Sequence, residues 1–317
     1  MKTIDLVDEQ NKFLKALEIS GKSFNTVKNY RTDLNCFNKF MTTKGRDLFI
    51  TEITLQEVKE YGSFLDKTYN SPNSIRRRVQ ALRIFFDFLL QKNLVQENMI
   101  KKAIVSPKVV DAPKPPTFKE VIDLYKFFKL QVTSENSLEK VTSYRNLVIF
   151  YLIYGAGLKV SDISILKESH LNLGKDDKYR VMISHEKRDP YTVVLPKEFN
   201  FIYEKYKKNL ETIKNNENMD FTNLLFNGNP YKILSGGLSP RGIEILFKDA
   251  STKLGTKITA KSLRQACVFK WLCHNESDSS IKEWLGVQPQ YSLKPFHDLL
   301  KSKPDIYSFT EIQEQDE

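Results

Sequence analysis

Cysteine and histidine are scarce in this chain of 317 residues, which holds only Cys36, Cys267 and Cys273 and only His170, His185, His274 and His297. None of them falls at the short paired spacing that zinc sites use, so no metal and no other cofactor is expected. An odd, scattered set of three thiols also excludes a disulfide framework, and free thiols in a reducing compartment are expected. No apolar run approaches the ~20 residues that cross a bilayer. Met1–Glu9 is acidic and has no apolar signal core, so the expected home is the cytoplasm, associated with the nucleoid if the source is bacterial. Repeats and low-complexity tracts are absent.

Positive charge, by contrast, is abundant. Lys and Arg number 49 against 39 Asp and Glu, a formal net charge of +10. Residues 1–117 carry 20 basic and 13 acidic side chains (+7), residues 118–300 carry 27 and 21 (+6), and residues 301–317 carry 2 and 5 (−3). Two basic bodies and an acidic tail favour a polyanionic partner. Hydrophobic residues at 40% are enough for two packed cores in a chain of this length.

Periodicity reads mostly as helix. From Ser23 onward, Val27, Tyr30, Leu34, Phe37 and Met41 recur at helical spacing, with Ser23 or Asn25 as cap. Thr54 and Glu57 form a capping-box pattern ahead of residues 54–65. A third helix starts near Ser71–Ser74, with an apolar face of Ile75, Val79, Leu82, Phe86 and Leu89 and with Arg76, Arg77, Arg78 and Arg83 elsewhere on its surface. Pro107, Pro113, Pro115 and Pro116 mark a linker, so the expected division is 1–108, a linker at 109–117, a second domain at 118–300 and the tail at 301–317. Helices are expected at 118–130, 144–154, 199–213, 239–254, 259–273 and 279–285. An antiparallel hairpin is expected from 178–184 and 191–196 around a polar turn.

Five segments, in order, resemble the tyrosine recombinase (phage integrase, Xer-like) family. Ser23–Phe40 is similar to its core-binding helix. Tyr154-Gly-Ala-Gly-Leu-Lys159-Val-Ser-Asp162-Ile resembles Thr-Gly-Leu-Arg-x-Ser-Glu-Leu. Leu225-Phe-Asn with Leu238-Ser-Pro-Arg-Gly-Ile243 resembles the lead-in to its active-site helix. Lys261-Ser-Leu-Arg264-Gln265 stands where the family has His-x-Leu-Arg-His, and Leu285-Gly286-Val287 where it has Leu-Gly-His. The resemblance implies a mainly α, two-domain architecture: a helical, SAM-like core-binding domain, then a mostly helical catalytic-type domain with a small antiparallel sheet. It also implies double-stranded DNA as partner, without a membrane, and self-association or pairing with a paralogous recombinase through the carboxy-terminal segment.

The same resemblance identifies the reacting positions, and most are altered. Phe296 stands nine residues after Val287, where relatives carry the nucleophilic Tyr, and a phenyl ring has no oxygen to attack phosphorus. Lys159 occupies the first Arg position, keeping the charge but losing the fork. Lys187, or its neighbour Arg188, occupies the Lys position in the hairpin turn. Lys261 replaces a His, Arg264 matches, and Gln265 and Val287 replace imidazoles. Against phosphate contact at the lysines stands a plain solvated charge, and against it at Arg264 an internal salt bridge. Tyr291 and His297 are the rival nucleophiles, although neither lies at the family spacing. Further DNA contacts are expected from Lys28, Arg31, Arg76, Arg77, Arg78 and Arg83, against the alternative of a solvated charged face. The reading that follows is a DNA-binding protein of this fold unable to cleave alone. An active recombinase, alone or with Tyr supplied in trans, and a helical protein-interaction module are the alternatives.

Overall fold

The structure, a computed structural model, describes residues 4–104, 112–185 and 188–312. The chain divides after Asp111 into two compact units, each with its own hydrophobic core.

The first unit comprises α1 (Leu6–Ile19), α2 (Phe24–Thr43), α3 (Leu55–Thr68), α4 (Pro72–Gln91) and the short α5 (Met99–Ala103). Ser23, not Asn25, caps α2 by accepting the Thr26 N–H, and Thr54 accepts the Glu57 N–H at the start of α3. The expected stripe of α4 is buried, joined by Phe85. Helix α1 escapes a periodicity reading because its buried face includes Glu9 and Gln10. Gln10 exchanges amide hydrogen bonds with Asn38 at 2.8 and 2.7 Å, and Glu9 pairs with Lys12 and Lys92. Satisfied polar groups there replace the apolar residues that would have marked the helix.

The second unit opens with α6 (Phe118–Lys129) and α7 (Ser137–Phe150), which runs into a π-helical turn at Tyr151–Gly155. Residues 147–158 are buried throughout, so α7 passes through the core and shows no amphipathic period. The chain breaks at Gly157, whose φ of +64° is left-handed and whose missing Cβ leaves room for the Trp271 ring. Short α8 (Val160–Ile163) follows, then β1 (Leu171–Leu173), β2 (Tyr179–His185) and β3 (Arg188–Val194) in an antiparallel sheet of order β1-β2-β3. Pairing extends to His185 opposite Arg188, so the polar stretch expected to be a long turn is mostly strand. After α9 (Glu198–Asn216), the strands β4 (Phe226–Gly228) and β5 (Ile233–Gly236) form a second hairpin. Helices α10 (Pro240–Leu254), α11 (Ala260–Cys273), α12 (Asp278–Trp284) and α13 (Lys294–Ser302) complete the unit.

The segment expected to be an acidic tail behaves otherwise. Residues 301 and 302 finish α13, and Phe309 and Ile312 are buried in the core of their own unit. Sparse apolar residues among acids concealed that packing. The architecture is mainly helical with small antiparallel sheets, as the sequence indicates. Among the described residues no helix is long and apolar enough to cross a membrane.

Candidate functional site

Helix α11 begins with a reciprocal cap. The Thr259 hydroxyl accepts the Ser262 N–H at 3.0 Å, and the Ser262 hydroxyl accepts the Thr259 N–H at 2.9 Å. That fixed first turn leaves Lys261 exposed and directs Arg264 inward. The Arg264 Nε–H donates to the Gly157 carbonyl at 2.5 Å, and its Nη2 donates to the Leu285 carbonyl at 3.0 Å. These are its hydrogen bonds among the described residues, so three of the five N–H groups of the guanidinium remain. Burial pushes its pKa down, and nearby Tyr191, Cys267, Asp162 and Tyr291 work in the opposite direction. A guanidinium stays charged through such a shift. Arg264 is therefore a half-buried cation held by carbonyls, with no hydrogen-bonded carboxylate among the described residues.

It opens into a hollow of about 760 Å³ between the start of α8, α10 and α11. Leu158, Phe247, Ile258 and Ala260 give the hollow apolar walls. Lys159 and Lys261 line it beside Arg264, as do Lys248 and Lys257, against one carboxylate, Glu244. Lys159 is held in an extended conformation (φ −83°, ψ 151°) as the residue that opens α8. Lys159, about a hundred residues earlier in sequence, thus converges with Lys261 and Arg264 on one concave, cationic surface. Such a surface binds an anion well, and phosphate in particular, through charge and fork geometry.

Of the remaining positions, Val287 and Phe296 have side chains that carry no acid, base or nucleophile. Val287 is half-buried in the turn after α12, where its N–H donates to the Lys282 carbonyl at 3.1 Å. Phe296 is 6% exposed on α13, its ring 5.4 Å from that of Phe269. The Gln265 side chain accepts the Lys114 N–H at 2.9 Å, tying the start of this unit to α11. Tyr291 is exposed in the loop before α13. His297 Nε2 lies 2.7 Å from Asp278 Oδ1 and joins α13 to the first turn of α12, a surface bracing role. Lys187 lies outside the described residues, and Arg188 is placed only as the first residue of β3.

In the first unit the arginine run separates into distinct environments. Arg77 donates to the buried Asp33 at 2.9 Å. Arg78 lies over the Tyr69 ring at 3.8 Å and donates to the Ser74 carbonyl. Arg83 donates to the Ile104 carbonyl at 2.7 Å. Arg76 is exposed on α4, and Lys28 and Arg31 are exposed on α2. Arg76 and Arg77 line a hollow of about 420 Å³ between those two helices, with Asn29, Asn73 and Gln80.

Lys248 and Lys257, which line the hollow, and Tyr191, which lies near Arg264, carry no signal in the sequence. The two lysines belong to no motif, and only the folding of α10 beside α11 brings them to the hollow. Tyr191 reads as one residue of an alternating strand.

Comparison with known proteins finds relatives of the sequence and of the fold. Residues 11–93 match the family "Phage integrase, N-terminal SAM-like domain". The chain is 29% identical over 163 residues to the tyrosine recombinase XerC of Pediococcus pentosaceus, covering 49% of this chain and 52% of that protein. It is 31% identical over 191 residues to XerD of Haemophilus ducreyi, covering 57% and 60%. With XerC of Anoxybacillus flavithermus it shares 24% identity over 279 residues, 87% of this chain and 88% of that one. The matches to the first two span only about half to three-fifths of those proteins' length. Among solved structures, lambda integrase bound to DNA is similar in fold, with a TM-score of 0.66 at 15% identity, covering 98% of this chain and 100% of the other. A lambda integrase tetramer bound to a Holliday junction gives 0.65 at 15% identity, covering 92% and 80%. Residues 11–93 thus match the phage integrase SAM-like domain, and the chain as a whole is similar in sequence to tyrosine recombinases and in fold to lambda integrase.

Proposed function

We propose that this protein grips duplex DNA by its phosphates and does not cleave it unaided. The observation that carries the reading is a division within one unit. Lys159, Lys261 and Arg264 face a common hollow, while the nucleophile position is the phenyl ring of Phe296. Phosphate affinity needs convergent positive charge, and strand cleavage by this family's route needs an oxygen nucleophile as well. The relatives are named as recombinases, and the lambda integrase neighbours were solved as DNA complexes, one of them tetrameric. These names support DNA as the partner and assembly with further subunits. In a second reading the chain serves beside an active recombinase that supplies Tyr in trans.

A duplex selected from random sequences should bind with an affinity that falls steeply with salt. The same duplex carrying a nick beside the contacted phosphate should yield no covalent complex with the purified protein. A covalent complex formed by the protein alone overturns the non-cleaving reading, and salt-insensitive or absent duplex binding overturns DNA as the partner.

A further inference from the structure

The phenol of Tyr191 lies against Gly286, the residue before Val287. In the β2–β3 ladder Tyr191 is paired with Ile183, and the next inward pair is Val181 with Val193. Val181, Ile183 and Val193 are all buried, so the pleat carries the Tyr191 ring toward the body of the unit rather than to solvent. There it meets the Leu285-Gly286 turn. A Cβ at Gly286 would lie 2.6 Å from Tyr191 Cε1 and Cζ and 2.7 Å from its hydroxyl oxygen. The glycine, at φ +56°, thus forms a flat floor under the phenol tip. The adjoining Leu285 carbonyl is the one that holds Arg264 Nη2 at 3.0 Å. Two consecutive residues of one turn therefore seat the guanidinium and the phenol side by side, and Tyr191 is close enough to bear on the charge of Arg264. Val287, the next residue, offers no donor from its side chain.

We infer that Tyr191 is a phosphate-positioning residue, donating its hydroxyl to the anion bound at Arg264 in place of the donor that Val287 lacks. The inference rests on the phosphate-binding reading of the hollow and names a ligand group that no motif marks. A hydroxyl donating to a phosphate oxygen is a charge-assisted bond, and its loss should weaken binding about tenfold.

Two measurements on the full chain test it. The first uses tyrosine labelled with 13C at Cζ, with the Tyr191 resonance assigned by its absence from Tyr191→Phe. Titration with inorganic phosphate should shift that resonance saturably, and should not in Arg264→Lys. The second compares wild type and Tyr191→Phe on a selected duplex and on versions with one phosphate at a time made an uncharged methylphosphonate. Tyr191→Phe should bind the normal duplex about tenfold more weakly, melt as wild type does, and lose nothing more at the one methylphosphonate that harms wild type most. Duplex binding that is undiminished in Tyr191→Phe, with an unmoved resonance, overturns this inference and leaves the DNA reading standing. A resonance that responds to phosphate in a chain that binds no duplex does the reverse. Equal losses for Tyr191→Phe on every methylphosphonate duplex also overturn it, because the hydroxyl then acts through general structure.

Discussion

Phe296 and Phe269 pack with tilted rings, centroids 5.4 Å apart, and Tyr307 stacks on Phe269 at 5.1 Å. The ring of Phe296 is thus a packing element between α13 and α11. Aromatic clusters of this kind stabilise by area buried and by ring geometry together. Restoring the hydroxyl with Phe296→Tyr puts a polar group into that cluster. The expected result is a loss of about 1–2 kcal/mol in urea unfolding and no covalent complex on a nicked duplex, because Lys159 and Val287 are unchanged. Efficient cleavage by this single variant would show that the site needs only the oxygen.

The same cluster is fastened from below by charge. Lys270 has 0% of its side chain exposed and meets Glu311 at 2.5 Å, with the Tyr154 ring 4.9 Å away. Tyr154 in turn donates to the Thr310 carbonyl at 2.5 Å. Glu311→Gln should destabilise by about 2–3 kcal/mol, since it leaves a desolvated ammonium without its counter-charge. Lys270→Met combined with Glu311→Gln should recover much of that loss, which a double-mutant cycle in urea reads directly. Additive losses would mean that the pair is not coupled.

The helices with an apolar stripe and a hydroxyl cap could be read from sequence because both signals are local. Ser23, Thr54 and the Ile75–Leu89 stripe are of that kind, and so is the order of motifs around Lys159, Lys261 and Arg264. What could not be read was set by tertiary partners. Glu9 and Gln10 look solvent-facing until Lys92 and Asn38 are brought to them. The acids of 301–317 hide Phe309 and Ile312. Arg77 differs from Arg76 only because Asp33 lies across from it. Tyr191 carries no signal, since its significance depends on a turn almost a hundred residues later.

Gly286→Ala tests that turn. It meets both a left-handed φ and the Tyr191 ring, so a loss of at least ~1 kcal/mol is expected from the backbone alone. In a Tyr191→Ala background the steric part should vanish and only the backbone part remain. An equal loss in both backgrounds would mean that the ring does not rest on Gly286.

Alkaline stability follows from the buried phenols. Burial raises the pKa of Tyr61, Tyr151, Tyr203 and Tyr206, and raises Tyr179 to about 12 with help from Glu204. Each folded pKa exceeds its unfolded value of ~10, so the folded state keeps protons that the unfolded chain has lost. Their contribution is complete below pH ~10 and is lost as pH rises through the folded values. Arg145 opposes this, because burial pushes it down to about 10; its folded form releases a proton first and gains stability with rising pH. Arg264 is pushed down by burial too, and two groups against these five phenols leave a net loss. Urea midpoints should hold from pH 7 to 9 and fall above 10. A midpoint that rises there would mean that the arginines dominate.

The exposed and the paired cations of the first unit should separate in salt titrations. Lys28 and Arg31 face solvent on α2, so replacing both with Ala should lower the slope of log affinity against log salt by about 2, at ~0.9 per phosphate contact, with little change in stability. Arg77 is 47% exposed but spends its charge on Asp33, whose side chain is 2% exposed. Arg77→Ala should therefore leave the slope nearly unchanged and reduce stability by about 2 kcal/mol, because a buried carboxylate loses its partner. The double variant Arg77→Ala, Asp33→Asn should regain part of that stability. If Arg77→Ala instead lowers the slope as much as a solvent-facing cation does, the arginine leaves Asp33 to meet a phosphate, and the ion pair is a resting contact that DNA displaces.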